Sequence, residues 1–109
     1  HQAGALYDIV EPTSNVCNPA GEWNHVLLKI NHLTNKGEVK LNGTKIVSFP
    51  LKGPTWDKLI ENTKFRNIED VNYSPLFNPN FGYFDTGKIG LQDHGDKVYY
   101  RNIKIREIK

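Results

Sequence analysis

The chain has 109 residues, of which 38% are hydrophobic and 24% are charged, a composition typical of one globular domain and not of a disordered chain. Its formal net charge of +2, with lysines and arginines scattered along the sequence, is too small to indicate a nucleic-acid-binding protein. No apolar run approaches the length of a membrane span. The single cysteine, Cys17, excludes an internal disulfide and a cysteine-based zinc site. Cysteine usage therefore does not indicate whether the protein resides in an oxidising or a reducing compartment.

The N-terminal part of the chain predicts two strands. Residues 3–10 form an apolar, β-rich run that ends before Pro12. Residues 23–30 carry apolar side chains on both faces, which indicates a strand between two layers. Residues 34–37, with the sequence Thr-Asn-Lys-Gly, predict a tight turn after the second strand.

A hairpin follows this turn. Residues 38–41 and 45–49 have strand-like alternation and flank Asn42 and Gly43. An Asn-Gly pair favours the positive φ that both central residues of a type I′ turn need. We therefore expect residues 23–49 to form three consecutive antiparallel strands.

One helix and one long connection are predicted next. Pro54 indicates the start of a helix over residues 55–64, because four positions recur on one face at helical spacing. These positions are Trp56, Leu59, Ile60 and Thr63. Residues 66–87 form a long connection. Loops of this length in a compact domain are usually either functional or disordered. Its five aromatic residues argue against disorder.

The C-terminal part predicts strands again. Residues 88–92 and 98–108 alternate between apolar and polar positions, and residues 93–96 join them as a turn. About six strands and one helix favour an all-β, antiparallel β-sandwich.

Five motifs in a fixed order carry a resemblance to a known family. They are Gly-Ala-Leu-Tyr-Asp at 4–8 followed by Pro12, Pro-Ala-Gly-Glu-Trp-Asn at 19–24, Leu-Asn-Gly at 41–43, GKIGLQDHGD at 87–96 and YRNIKI at 100–105. Each motif alone is weak, but together the chain resembles the 3-keto-disaccharide hydrolase family, formerly called a domain of unknown function. The resemblance implies a concanavalin A-like jelly roll of the lectin and glucanase type. Because family members are mostly secreted bacterial proteins, many from Bacteroidetes, it also implies a secreted, periplasmic or cell-surface location.

The resemblance covers this whole chain, whereas a typical family domain has about 200 residues as one sandwich. We therefore expect the chain to be the C-terminal half of one jelly-roll domain rather than a complete small domain, and the absence of methionine fits a processed chain or a fragment. A strand at 3–10 would then lack a neighbour. We expect the N-terminal half or another chain to cover that edge and complete the sandwich. Residues 66–87 look longer and more aromatic than the family's usual linker, which leaves the substrate open.

The turn near residue 94 carries the sharpest cluster of polar side chains: Gln92, Asp93, His94 and Asp96. A histidine can act as a general base or a metal ligand, and a nearby carboxylate can orient it. Taken alone, the turn reads more readily as a polar β-turn with Asx-type bonds. The resemblance implies instead that His94 is the general base or a metal ligand. Asp93 and Asp96 would then orient His94 or serve as further ligands of the metal. If a divalent metal is present, His94 and Asp93 are the expected ligands.

Four further residues are candidates for binding a sugar. Arg101 lies on an apolar face of its predicted strand, so it either forms a structural ion pair or lines a sugar-binding face. Tyr7 and Trp23 are either core residues or platforms for the apolar C–H face of a sugar ring. Gln92, with Arg101, is expected to hold hydroxyl groups or an oxyanion.

The resemblance implies cleavage of a glycosidic bond next to a sugar oxidised at C3. A 3-keto group acidifies the C2 proton, so a base can remove it, the aglycone leaves by elimination and water adds back. This reaction needs one base and an electrophile near the ketone oxygen, not the two spaced carboxylates of ordinary glycosidases. The expected partner is an oligosaccharide or 3-keto-glycoside, and the sequence establishes no cofactor.

Two other functions stay open. A non-catalytic carbohydrate-binding module on the same jelly roll would keep the aromatic platform and polar rim without needing His94. An interaction domain with no sugar ligand is the third reading.

Overall fold

The structure is a computed structural model that describes residues 2–63, 65 and 80–108. Its regular elements are three strands and one helix: β1 (Val26–Asn31), β2 (Lys36–Leu41), β3 (Thr44–Pro50) and α1 (Pro54–Ile60). The strands form one antiparallel meander in the order β1-β2-β3, which confirms the prediction for residues 23–49. Among the described residues, α1 is too short to cross a membrane and no other helix could do so.

One of the two turns of the meander lies at the predicted residues, and the other is displaced along the chain. Asn42, at φ 51°, and Gly43, at φ 86°, form the predicted turn between β2 and β3. The first turn was predicted at 34–37 but occupies residues 32–35. Asn35 takes the left-handed conformation there, at φ 55°, because asparagine tolerates this region better than most side chains. The glycine that ended the predicted turn therefore lies inside β2.

The core lies on one face of β2 and β3 and is closed by α1. Its buried apolar residues are Val39, Leu41, Ile46, Val47, Phe49 and Trp56. Ile46 is the extra residue of a β-bulge, where the register of β2 against β3 shifts by one. The bulge allows two consecutive residues, Ile46 and Val47, to be buried, with 0% and 2% of their surface exposed.

The helix is shorter than predicted. It begins at Pro54, as expected, but ends at Ile60 instead of continuing to residue 64. The Thr63 hydroxyl donates a hydrogen bond to the Ile60 carbonyl at 2.9 Å and accepts one from the Phe65 N–H at 3.1 Å. These local bonds compete with the helical ladder and end it. The last residue of the predicted helix lies outside the described residues.

The prediction of a strand over residues 3–10 was wrong. The segment folds back on itself, with a single bridge in which Leu6 and Val10 exchange hydrogen bonds of 3.1 and 2.9 Å. Gly4, at φ 82°, and Asp8, at φ 62°, are both left-handed, and such residues interrupt an extended strand. The segment packs its apolar residues onto the core instead.

Two other strand predictions were also wrong for the described residues. Residues 88–92 and 98–108 form no regular secondary structure and pair with no strand in this part of the chain. The backbone of Asn102 is left-handed, at φ 53°, and it interrupts the second segment. Ile89 and Ile105 are 76% and 84% exposed. The apolar residues that alternate along these two segments are therefore not covered by other described residues.

The strand β1 was predicted to lie between two layers, but the described residues leave both its faces exposed. Its apolar side chains are between 42% and 62% exposed: Val26, Leu27, Leu28 and Ile30. The second sheet of a sandwich, and with it the jelly roll, stays a prediction. Of the predicted connection over residues 66–87, positions 66–79 lie outside the described residues.

Candidate functional site

Two of the predicted sugar-binding residues meet at the surface. The guanidinium of Arg101 lies over the ring of Trp23, with its Cζ 3.9 Å from the ring centroid, which is a cation–π contact. Trp23 is 49% exposed and Arg101 is exposed as well. We call these two residues the Trp–Arg platform. Arg101 is thus held by an aromatic ring at the surface, and Trp23 lies outside the buried core of the described residues.

The loop before β1 is fastened to the β2–β3 turn by the side chain of Asn42. Its Nδ2 donates to the Val16 carbonyl and to Asn24 Oδ1, both at 2.8 Å. Its Oδ1 accepts the N–H of His25 at 2.8 Å. One half-buried amide therefore holds three points of the loop.

A second amide continues this arrangement to the platform. Asn18 donates its backbone N–H to Asn24 Oδ1 at 2.7 Å, and its Nδ2 donates to the carbonyl of Trp23 at 2.9 Å. We call Asn18, Asn24 and Asn42 the amide network. It fixes the backbone at Trp23. The sequence around Asn42 indicates only a turn, because the partners of its side chain are distant along the chain.

The predicted catalytic residues lie in an exposed turn. Gly95, at φ 95°, donates its N–H to Asp93 Oδ1 at 3.0 Å. This is the Asx-type bond of a polar β-turn, and the bond shown for Asp93 is to the backbone rather than to His94. His94 and Asp96 are exposed in the same turn, so both side chains can be reached from solvent.

The backbone carbonyl of Gln92 accepts a hydrogen bond from a side chain of the following segment. The hydroxyl of Tyr100 donates to the Gln92 carbonyl at 2.6 Å, which closes residues 92–100 into a loop immediately before Arg101. This bond from a side-chain hydroxyl to a backbone carbonyl thus connects the segment with the predicted catalytic turn to the segment with the platform arginine. Tyr7, the remaining binding candidate, is 53% exposed within the folded-back segment at residues 3–10.

No metal centre is assembled by the part of the chain that the structure describes. Within residues 2–63, 65 and 80–108, no three His, Cys, Asp or Glu side chains lie close enough to hold a metal ion. A divalent cation bound by His94 and Asp93 would need further ligands from elsewhere.

An aromatic segment, residues 80–86, is fastened to α1. The Trp56 indole N–H donates to the Phe81 carbonyl at 3.1 Å. The Tyr83 hydroxyl donates to Asp57 Oδ1 at 2.6 Å and accepts the Gly53 N–H at 3.1 Å. The hydrogen bond to the Asp57 carboxylate raises the pKa of Tyr83 above its ordinary value, because ionisation would lose the bond and add a second negative charge.

Comparisons with known proteins agree with the motifs in the chain. Residues 1–106 match the family model described as the 3-keto-alpha-glucoside-1,2-lyase-like domain. The chain is also 32% identical over 107 residues to a 3-keto-disaccharide hydrolase of Bacteroides thetaiotaomicron, an alignment that covers 96% of this chain and 36% of that protein. The chain therefore spans about a third of the length of this curated relative. Both matches confirm the resemblance found from the motifs, and the chain belongs to the family of 3-keto-alpha-glucoside-1,2-lyase-like domains.

Proposed function

We propose that this chain is part of a carbohydrate-active hydrolase or lyase that cleaves a glycosidic bond next to a sugar oxidised at C3. The observation that carries the proposal is the similarity, over 96% of the chain, to a relative named 3-keto-disaccharide hydrolase. The family match extends through residue 106 and so includes the turn at 93–96 and the platform arginine. The relative's name supports the substrate class, and the polar turn supports the chemistry.

The proposed reaction begins with removal of the C2 proton of the 3-keto sugar. The electron pair of the C2–H bond forms an enolate with the C3 carbonyl. The enolate then collapses, the C1–O bond breaks and the aglycone takes up a proton as it leaves. Water adds to C1 of the resulting enone and a proton returns to C2, so the net reaction is hydrolysis. If the product leaves before water adds, the same steps give a lyase.

We assign the proton transfer to His94, because an imidazole can act as a general base near neutral pH. In this proposal Asp93 and Asp96 orient His94. The exposure of the turn supports access of a substrate to all three side chains. The Asx-type bond from Gly95 to Asp93 gives the turn a fixed backbone, which favours a constant position for His94.

We assign substrate binding to the Trp–Arg platform together with Gln92 and Tyr7. The exposed aromatic rings offer flat apolar surfaces to the C–H face of a sugar. The guanidinium of Arg101 supplies planar donors for a hydroxyl group or for the enolate oxygen. Because Arg101 is already held over Trp23, its donors are oriented before the substrate binds, which lowers the entropic cost of binding.

We also propose that further polypeptide completes a jelly roll around this chain. The exposed faces of β1 and the exposed apolar residues near Ile89 and Ile105 support this, since exposed apolar surface often marks a contact surface. The N-terminal half of the same domain is the proposed source of the covering strands, with another chain as the alternative. The proposed location is secreted, periplasmic or cell-surface, and it rests on the family resemblance.

Turnover of a 3-keto-disaccharide by the full-length protein that contains this chain tests the proposal. We expect release of the 3-keto monosaccharide, and we expect His94→Ala to lower kcat by about a hundredfold or more, the usual contribution of a general base. His25→Gln is the matched control, because its exposed imidazole lies elsewhere and its backbone N–H keeps the bond to Asn42. Turnover that is unchanged in His94→Ala would remove His94 from the mechanism.

The non-catalytic carbohydrate-binding module is the second candidate. The exposed Trp23 ring beneath Arg101 favours it, because a stacking platform binds sugars without any base. Binding of intact disaccharides without turnover by the wild-type chain, lost in Trp23→Ala and kept in His94→Ala, would support the module over the enzyme.

A further inference from the structure

A cleft of about 410 Å³ lies away from the Trp–Arg platform, between the sheet and the aromatic segment at residues 80–86. Its volume falls within the range of about 300–1,000 Å³ that is usual for small-molecule sites. Phe49 and Trp56 line it from the core, at 8% and 5% exposure, and Phe84 lines it from the aromatic segment, at 66% exposure. The cleft thus offers one ring face that a ligand can reach, above an apolar floor.

The outer wall of the cleft is fixed in place. Gly82 lies so close to the Trp56 ring that a Cβ at this position would be 2.5 Å from it, and its φ of 81° also favours glycine. The hydrogen bonds of Phe81 and Tyr83 to α1 hold the wall on either side. A ligand would therefore meet a wall that is already ordered, and little conformational entropy is lost on binding.

The mouth of the cleft carries more positive than negative charge. Lys52 forms an ion pair with Asp85, and Lys88 is a second lysine along the lining. The Lys52 ammonium holds the pKa of Asp85 below its ordinary value, with a smaller contribution from His32. Among the described lining residues, two lysines thus face one ionised carboxylate.

We propose that this cleft binds a sugar ring that carries a carboxylate, with the C–H face of the ring on Phe84 and the carboxylate beside Lys88. Aromatic rings accept the apolar face of a sugar, and an ammonium–carboxylate hydrogen bond is about twice as strong as a neutral one. The inference rests on the proposed function only in taking a sugar as the ligand. Since Lys88 precedes Asp93 by five residues, at most about 18 Å of extended chain separates the cleft from the turn, so one oligosaccharide can contact both.

NMR titration of the full chain with methyl glucuronide, methyl glucoside and benzoate tests this proposal. We expect the glucuronide to shift the amides of residues 82–88 and to bind at least about tenfold more tightly than the glucoside, the value of one charge-assisted hydrogen bond. Lys88→Met is expected to abolish this preference for the glucuronide. Lys45→Met, at an exposed position of β3 outside the cleft, is the charge-matched control.

Three results would overturn the proposal: equal affinities for the glucuronide and the glucoside, binding of benzoate without the glucuronide, or no shifts at residues 82–88. Failure of the proposed reaction can be distinguished from failure of this binding proposal, because the titration measures binding without turnover. A chain that binds the glucuronide at Lys88 but does not cleave a 3-keto-disaccharide would contradict the reaction and support the cleft.

Discussion

Replacement of Asn42 by glycine removes the side chain that fastens the loop before β1. Glycine accepts the left-handed backbone of this position, at φ 51°, so the turn itself is preserved. The variant loses the bonds to Val16, Asn24 and His25, all at 2.8 Å. The change in stability therefore measures the fastening and not the turn.

The expected loss is about 2 kcal/mol. A hydrogen bond contributes about 0.5–1.5 kcal/mol net, and three are removed, but the side chain of Asn42 is only half-buried and water can replace part of them. For a domain of this size, each kcal/mol lowers Tm by about 4–8 °C, so Tm is expected to fall by about 8–16 °C. Asn42→Asp should lose at least as much, since it places a carboxylate oxygen against the carbonyl of Val16 and Oδ1 of Asn24.

Thermal unfolding of the full chain by circular dichroism measures this loss. Thr44→Ala, at an exposed position beside the same turn, is the control and should change stability by no more than about 0.5 kcal/mol. NMR adds a local readout: the indole N–H of Trp23 should shift in Asn42→Gly, while that of Trp56, in the core, should not. Melting of Asn42→Gly at the temperature of Thr44→Ala, with no shift at Trp23, would show that the amide network does not hold the platform.

Three further predictions concern the core, the cleft wall and the surface ion pair. Ile46→Ala should lower the free energy of unfolding by about 2–5 kcal/mol, because Ile46 is 0% exposed; a urea midpoint near that of the wild type would contradict its place in the core. Gly82→Ala should cost about 2–5 kcal/mol, the sum of a left-handed alanine and an overpacked Trp56, and an unchanged melting temperature would show that the wall is not fixed. The carboxyl of Asp85 should titrate below its ordinary pKa of 3.8 and return towards that value in Lys52→Met, as followed by carbon NMR. Because the pKa is lowered by folding, the contribution of this pair is complete above pH 3.8 and is lost as the pH falls through the folded-state pKa; Lys52→Met should therefore abolish only this acid-dependent part.

Features set by a few neighbouring residues could be predicted from the sequence. Asn42 and Gly43 determine a type I′ turn through their own backbone preferences, and Pro54 marks the first turn of α1 for the same reason. The alternation of residues 38–41 and 45–49 on either side of the type I′ turn predicted a hairpin, and β2 and β3 pair antiparallel as expected. The end of the helix was not predictable in this way, because it depends on the local hydrogen bonds of the Thr63 hydroxyl.

Strands that need a distant partner could not be predicted reliably. Alternation over residues 98–108 indicates which side chains would share a face, but a strand forms only where a neighbour pairs with its backbone. The described residues supply no such neighbour. The left-handed backbones of Asp8 and Asn102 follow no periodic signal: aspartate and asparagine tolerate this region better than most residues, but their alternation pattern does not indicate where they adopt it.

The candidate site was predicted in part for similar reasons. The motifs around His94 and Arg101 were found through the family resemblance, which the comparisons confirm. The contact between Trp23 and Arg101 joins two distant parts of the chain, and no spacing rule connects them. The amide network was missed because asparagines such as Asn18 are ordinary loop residues until their partners in space are known.

Exchange of the C2 hydrogen of a 3-keto-disaccharide in D2O follows the first proposed chemical step, before the glycosidic bond breaks. We expect the full-length protein that contains this chain, and its His25→Gln variant, to exchange this hydrogen and release the 3-keto monosaccharide, and we expect His94→Ala to be slower in both by about a hundredfold or more. Exchange at the wild-type rate in His94→Ala would contradict the assignment of the base. Cleavage by the wild-type chain that retains the C2 hydrogen throughout would contradict the proposed elimination itself.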